Sequence, residues 1–515
     1  MNTLEGLIPT IKRNLKKFKK TGVLHVRPGF CCAKNGWPTK RKAIVVVADR
    51  KGRKVKVPSK VEGIPVEVRR ATELEQFSYE HPDKYSQLAD HRAELRGTSI
   101  LPEFDPVGGV VQAPIAAKVA AAHQTKIQVQ YAAPDVPLKP VSGKISMICH
   151  ASPDAGWPTL QKFVSGTQKQ MKVSMYDFTS GHILDLFESS LGKKKVQLTL
   201  DDPPANPSED QLDPQTVQTL GRKVKAFSSA WALVRSSPEA DTWIYPTAYH
   251  IKVMVRDSDT VWLSSGNLNN SNQPEIDPIG NPQPSDQNTA KESDRDWHVV
   301  ISSPELAQTF EAYLDQDFQV ARVHAANLSP VLKNPAPALK RPSVVGSFNF
   351  EAPKLIENEA VTITPLLTPD TGIYQEAMLK LIKAVKKKLY IQLQYIHPSS
   401  DAANAKFTEL IDAVAAKIDA GLDVRIILSE FQKLKGGLDA LQAAGINLDN
   451  VKIQNNVHNK GFIFDSKKVV VSSMNWSGQG VLSNRDAGVI IDNATAALYY
   501  EKIFLDDWDN HAGKS

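Results

Sequence analysis

His250-Ile-Lys252-Val-Met-Val-Arg-Asp257, followed after six intervening residues by Ser264-Ser265-Gly266-Asn267, is written a second time. The second copy is His458-Asn-Lys460-Gly-Phe-Ile-Phe-Asp465 and, again after six intervening residues, Ser472-Ser473-Met474-Asn475. Six positions agree in type and spacing across the two copies. A lone His-x-Lys occurs by chance in many chains; the whole pattern twice does not. Each His-x-Lys opens a β-type run, and residues two apart on a strand project from the same face. His250 and Lys252 therefore share one space, as do His458 and Lys460. Asp257 and Asp465 fall in turn sequences and are expected to close hairpins by capping backbone groups. The return strands end in small hydroxyl residues, among them Ser265 and Ser473, followed by Asn267 and Asn475. Small side chains admit a tetrahedral anion, and Ser and Asn offer donors to its oxygens.

Two such copies face to face make a pocket with two imidazoles, two ammonium groups and two amides, which suits a phosphodiester. One neutral imidazole attacks phosphorus and forms a phosphohistidine, while the other, protonated, gives its proton to the leaving oxygen. The roles then reverse as the second imidazole activates water or an alcohol. Lys252 and Lys460 offset charge on the non-bridging oxygens, work done elsewhere by arginine clamps or metal ions. The scheme calls for no metal and no cofactor. No Cys/His spacing suggests zinc, and no Gly-rich phosphate loop is present.

These residues resemble the phospholipase D superfamily, which carries His-x-Lys-x4-Asp-x6-Gly-Ser-x-Asn in duplicate. Ser264 and Ser472 stand where that pattern usually has Gly, a mild departure. The resemblance covers roughly Ile145 to Trp508. It implies a covalent phosphohistidine with His250 as nucleophile and His458 as general acid, and no cofactor. Relatives place an acidic residue shortly after the Asn to hold the second nitrogen of a catalytic imidazole. Asp486 fits that spacing. Asp296 is displaced by a long insert, and its assignment rests on the recurrence of Arg295-Asp296 as Arg485-Asp486. A surface ion pair with the adjacent Arg is the other reading of each.

The rest of the chain is also doubled. Ser152-Pro-Asp-Ala-Gly156 recurs as Thr368-Pro-Asp-Thr-Gly372, and Tyr313-Leu-Asp-Gln-Asp-Phe318 as Phe504-Leu-Asp-Asp-Trp508. Strand and helix patterns alternate in both parts. The expected fold is α/β: two similar α/β sandwich halves, 145–330 and 331–515, about a pseudo-twofold axis. A small N-terminal α+β domain is expected over 1–106, and an Ala/Pro/Val/Gln-rich linker over 107–144. Within the first domain, Leu4 to Lys20 reads as a basic amphipathic helix, open to a peripheral membrane contact or simply to solvent. The polar, Pro-rich stretch 268–294 has only a short counterpart in the second half. A loop of that length beside a catalytic strand is either functional or a tolerated surface insertion. His397 and His298 recur in neither half and are read as structural.

Composition sets outer bounds. The chain has 515 residues, a net charge of +6 and three cysteines, Cys31, Cys32 and Cys149. That length buries a large core. No segment reaches the roughly 18 apolar residues of a membrane span, no signal-peptide pattern opens the chain, and so few cysteines build no disulfide framework. A cytoplasmic protein, active as a monomer, is the expectation. The expected partner is an anionic phosphodiester, with phospholipid preferred over nucleic acid because the modest charge is no nucleic-acid footprint. A metal-independent nuclease of the same superfamily and a catalytically silent binding scaffold remain open. The intact pairs of His, Lys and Asn argue against silence.

Overall fold

The computed structural model describes residues 7–18, 20–32, 38–49, 55–71, 126–202, 210–235, 237, 240–325, 343–370, 373–399 and 401–514. The chain divides into two compact units, Met1–Leu95 with Ser99–Thr125, and Lys126–Ser515 with Arg96–Thr98.

In the first unit, helical segments Ile8–Arg13 and Leu15–Phe18 precede a four-stranded sheet. Its order is Val23–Cys32, Pro38–Ala48, Ile64–Arg70, Lys60–Val61. Leu7, Ile11 and Phe18 recur on one side of the helical stretch and are buried with Val23, Val26, Ile44, Val46 and Val61. Lys12, Lys16, Lys17 and Lys20 are left exposed. The stretch is amphipathic, as its periodicity implies, and its apolar side is consumed by its own sheet. This is an α+β unit, as expected.

The second unit holds two large sheets with one strand plan. The first runs Ala226–Leu233, Lys195–Asp202, Gln170–Met175, Lys252–Arg256, Thr260–Ser264, Asp296–Ser302, Ser146–Ser152, Lys354–Ile356. The second, after an edge piece Gly513–Lys514, runs Val451–Gln454, Asp423–Ser429, Lys388–Leu393, Lys460–Phe464, Lys468–Ser472, Asp486–Asp492, Ala360–Thr368, Val141–Lys144. In each sheet the first three of these are parallel and the rest antiparallel. The fully buried strands, such as Val253-Met-Val and Val469-Val-Val, are apolar on both faces, as strands covered on both sides must be. Helix Pro304–Ala325 lies across the first sheet and Ala494–Asp506 across the second. These are the two similar α/β halves that the duplication implies.

The last strand of each sheet departs from the expected boundaries. Lys354–Ile356, counted with the second half, pairs with Ser146–Ser152 in the first sheet. Val141–Lys144, counted as linker, pairs with Ala360–Thr368 in the second. Each donated strand satisfies a row of backbone groups that would otherwise sit at a sheet edge. Nor is the stretch before Val141 a free tether: Tyr131 hydrogen-bonds to Asp317 (3.0 Å) and to Arg485 (3.1 Å). The linker expectation therefore fails over 126–144, and its remainder, 107–125, lies outside the described residues.

Cys149 is fully buried, and burial pushes its thiol up to about 12, which makes it inert at neutral pH.

Candidate active site

The two hairpins fold alike. Asp257-Ser258 and Asp465-Ser466 all take left-handed backbone conformations, which Asp tolerates better than most residues. The Asp257 carboxylate accepts the backbone N–H groups of Gln168, Lys169 and Gln170 at 2.7–2.9 Å. Asp465 does the same for Lys386, Lys387 and Lys388. Burial opposes ionisation at both, yet the three N–H donors hold each carboxyl below the usual range. Both aspartates cap backbone, as expected, and stand at the turn end of the hairpin, away from the histidines.

At the other end the halves interlock. The regular strands begin at Lys252 and Lys460, and the histidines lie just before them. There the backbone reaches across: His458 donates its N–H to Arg295 O (3.1 Å), and Arg485 donates its own to Ala248 O (2.9 Å). The side chains then cross in the same sense. His250 Nδ1 is 2.8 Å from Asp486 Oδ1, and His458 Nδ1 is 3.1 Å from Asp296 Oδ1. Each half's aspartate thus orients the other half's histidine. A carboxylate on Nδ1 fixes the tautomer and leaves Nε2 for chemistry. Both Asp–His pairs are almost wholly buried.

The lysines join the same space. Lys460 Nζ lies 3.0 Å from His458 Nε2 and 3.3 Å from the carbonyl oxygen of Ser265, a residue of the opposite half. Lys252 Nζ donates to His250 O (2.7 Å) and lies 5.4 Å from the centre of the Tyr176 ring, which meets His250 edge-on. Burial, and next the charge of Lys460, hold the Lys252 ammonium well below the ordinary lysine range, against Asp486, Asp296 and Asp177. Both polar atoms of the Asn267 amide are buried with no hydrogen-bond partner among the described residues. Natural proteins seldom leave a buried amide so, unless for a ligand.

The lowered Lys252 has a measurable consequence. An anion binds its protonated form, so affinity for sulfate, which does not titrate near neutrality, should be lost as pH rises through a midpoint well below the ordinary lysine value of about 10.4. Calorimetry in buffers of different ionisation heat should show proton uptake on binding. Lys252→Arg, charged throughout that range, should flatten the profile. A wild-type affinity that holds undiminished up to the ordinary lysine value would count against it.

Ser265 and Ser473 differ from their expected role. Each hydroxyl donates to an orienting aspartate, Ser265 to Asp296 and Ser473 to Asp486, both at 2.6 Å. Each also accepts a backbone N–H, from Trp297 and Ala487 respectively. Their lone proton is thus spent on the carboxylate and not offered to substrate oxygens. His298 is buried between Ser152 and Ser264, and burial, then His150, keeps it well below the usual histidine range. His397 is exposed and stacks on Tyr395 at 3.9 Å. Both fit their structural reading.

Two carboxylate pairs recur in the repeats, Asp154 with Asp370 and Asp317 with Asp507, and local spacing gives them no partner. Arg295 binds Asp154 of its own half and Asp507 of the other (Nε–Oδ2 2.9 Å). Arg485 likewise binds Asp370 and, across the halves, Asp317 (Nε–Oδ2 2.8 Å). All six residues are buried. The recurring Pro-Asp, Arg-Asp and closing-helix Asp motifs are therefore one clamp, built twice. Each guanidinium sits one residue before the aspartate that orients the opposite histidine. Among the described residues no group of three His, Cys, Asp or Glu side chains is placed to hold a metal ion.

Residues 378–508 match the family model described as "Cardiolipin synthase, PLD-like domain". A phospholipase D of Rickettsia conorii is 31% identical over 150 residues, which span 29% of this chain and 68% of the relative. Among solved structures, the phosphatidylserine synthase of Haemophilus influenzae Rd KW20 is similar with a TM-score of 0.45 at 13% identity, over 71% of this chain and 86% of that one. The phospholipase D family member Nuc of Salmonella typhimurium gives 0.25 at 19% identity, over 30% of this chain and 99% of that one. With the doubled His-Lys-Asn signature, the level of identity to the Rickettsia protein and its coverage decide the matter: this chain belongs to the phospholipase D superfamily.

Proposed function

We propose that this protein is a phosphodiesterase of the phospholipase D type that hydrolyses or exchanges phospholipid headgroups. The observation that carries the reading is the reciprocal wiring of His250 to Asp486 and of His458 to Asp296 in a pocket with two lysines. In the proposed cycle, His250 Nε2 attacks phosphorus as the bond to the leaving oxygen breaks. His458, protonated, gives that oxygen its proton. The intermediate is a phosphohistidine on His250. Neutral His458 then takes a proton from water or an alcohol, whose oxygen attacks phosphorus as the P–N bond breaks, and both histidines return to their starting states. Lys252, Lys460, Asn267 and Asn475 hold the non-bridging oxygens, so no metal is called for. Both histidines come from one chain, which supports activity as a monomer.

The charge distribution supports a surface as the place of work. Residues 1–71 carry 19 Lys and Arg against 4 Asp and Glu, a net of +15, and the remaining residues carry 43 against 52, a net of −9. The modest total conceals that contrast. The net-acidic remainder is repelled by an anionic bilayer, and the strongly basic residues 1–71 counter this. No helix among the described residues is long and apolar enough to cross a membrane. Because the apolar side of the basic helix is already buried, contact would be electrostatic, without insertion, and would make a cytoplasmic protein peripheral.

The test is a side-by-side assay in EDTA of the full-length protein on phosphatidylcholine vesicles, anionic vesicles, single-stranded DNA and a chromogenic phosphodiester. Headgroup release is expected. Salt-sensitive cleavage of DNA with no phospholipid turnover would decide for a nuclease, to which the basic unit is also suited. Replacing Lys12, Lys16, Lys17 and Lys20 together by Gln should weaken co-sedimentation with anionic vesicles on the order of 10³-fold, at about 1 kcal/mol per basic residue. Unchanged co-sedimentation would remove the surface argument.

A further inference from the structure

The largest difference between the halves, residues 268–294, ends up against an orienting carboxylate. Asn272, from that insert, is buried and donates from Nδ2 to Asp296 Oδ2 at 2.7 Å and to Asp294 Oδ2 at 3.0 Å. Its Oδ1 accepts the backbone N–H of Asn267 at 3.0 Å, and its own N–H is held by Asn269 Oδ1 at 2.9 Å. Asn272 lies five residues past Asn267, and the position five past Asn475 is Gly480. A side chain there has no room, since a Cβ would come 2.2 Å from Asn475 O. The compensating change is at Gly266, where the second half has Met474. A Cβ at 266 would stand 2.6 Å from Asp296 Oδ2 and 2.9 Å from Asn272 Cβ. Where the second half has Met474 and Gly480 the first has Gly266 and Asn272, and together the two differences seat one amide on one carboxylate.

We infer that Asn272 is a positioning residue that keeps Asp296 ionised on His458 and so makes the two histidines inequivalent. The inference rests on the phosphohistidine reading of this same pocket. Asp296 faces His458 Nδ1, the Ser265 hydroxyl, the Lys460 and Lys252 ammonium groups, and Asp294 through the shared Asn272 amide. Its neighbour Arg295 is turned to Asp154 and Asp507, and Asp486 with His250 lies on the other side of the pocket. Burial drives the Asp296 carboxyl up to about 6, while Lys460, Ser265, Asn272 and Lys252 hold it from rising further. Without the amide the carboxyl takes up its proton nearer neutral pH. A protonated Asp296 no longer fixes the His458 tautomer, and proton delivery to the leaving oxygen fails first.

Asn272→Ala and Asn272→Asp test this in the full-length protein. The first removes the donor; the second keeps the shape and puts an acceptor against Asp296. Both should lower kcat on the order of tenfold to a hundredfold with little change in KM. Both should also move the acidic limb of the kcat–pH profile upward by about one unit. The loss should be about tenfold greater for an alkyl leaving group than for nitrophenol, which needs little protonation. Thermal unfolding monitors the fold; should Asn272→Ala not fold, Asn272→Asp alone is read. An active wild type whose variants keep its pH limb and leaving-group dependence overturns the inference, even if they are slower. A wild type that turns over no phosphodiester overturns instead the reading beneath it.

Discussion

His250→Ala should lose turnover by on the order of 10⁶-fold, the scale on which removing a covalent nucleophile acts, and should trap no phosphoenzyme. His458→Ala should behave differently. With a nitrophenyl diester it should still be phosphorylated, slowly, because such a leaving group departs without a proton. With a phospholipid it should be nearly as inert as His250→Ala. Rapid-quench labelling followed by peptide mapping reads the site directly. Label on His458 in the wild type would reverse the assignment. Equal behaviour of the two variants with both leaving groups would mean that neither histidine has a dedicated role. The reciprocal His–Asp geometry alone does not distinguish the partners; Asn272 on one side only is the asymmetry that bears on it.

Arg485→Met should be the most destabilising of the changes considered, by about 3–5 kcal/mol, because it leaves Asp317 and Asp370 buried opposite no cation. Asp317 is the hub of that clamp. It accepts from Arg485 and from the hydroxyls of Tyr131, Tyr245 and Tyr249 at 2.7–3.1 Å. Adding Asp317→Asn to Arg485→Met should recover part of the loss, since the stranded charge is gone, although Asp317→Asn alone should destabilise. The urea midpoints of the four proteins decide it. Strict additivity, or a midpoint for Arg485→Met equal to that of the wild type, would show that the clamp contributes no coupling. Because Arg485 precedes Asp486 and Asp317 belongs to the opposite half, activity should fall even in the fraction that remains folded.

Much of the site was legible in the chain because its chemistry is local. His250 with Lys252 and His458 with Lys460 are each two residues apart, and strand geometry alone puts each pair in one space. Asp257 and Asp465 carry turn chemistry that acts on backbone only a hairpin away. The duplication told that two such units exist and that each is α/β. What escaped were pairings over long separations. By residue type and position Ser265 and Ser473 suit substrate donors, and only their contact with Asp296 and Asp486 shows where the hydroxyl proton goes. Residues 126–144 have the composition of a linker, yet Val141–Lys144 completes a sheet whose neighbouring strand lies more than two hundred residues on. Asn272 sits in a polar insert that differs little in composition from a surface loop.

The amino-acid sequence by itself determined the superfamily, the doubled His-Lys-Asn signature, the twofold repeat and the basic character of the N-terminal segment. Each of these is carried by residue identity and short-range spacing. The tertiary structure alone decided which aspartate serves which histidine. The answer is the one in the other half, because the backbone bridges at Arg295 and Arg485 bring each Arg-Asp pair to the opposite signature. It also decided that the repeated Pro-Asp, Arg-Asp and closing-helix motifs form two buried clamps, and that one orienting carboxylate of the two carries an extra amide. Those are matters of packing between segments hundreds of residues apart, where desolvation makes every ion pair and hydrogen bond count, and spacing along the chain holds no record of them.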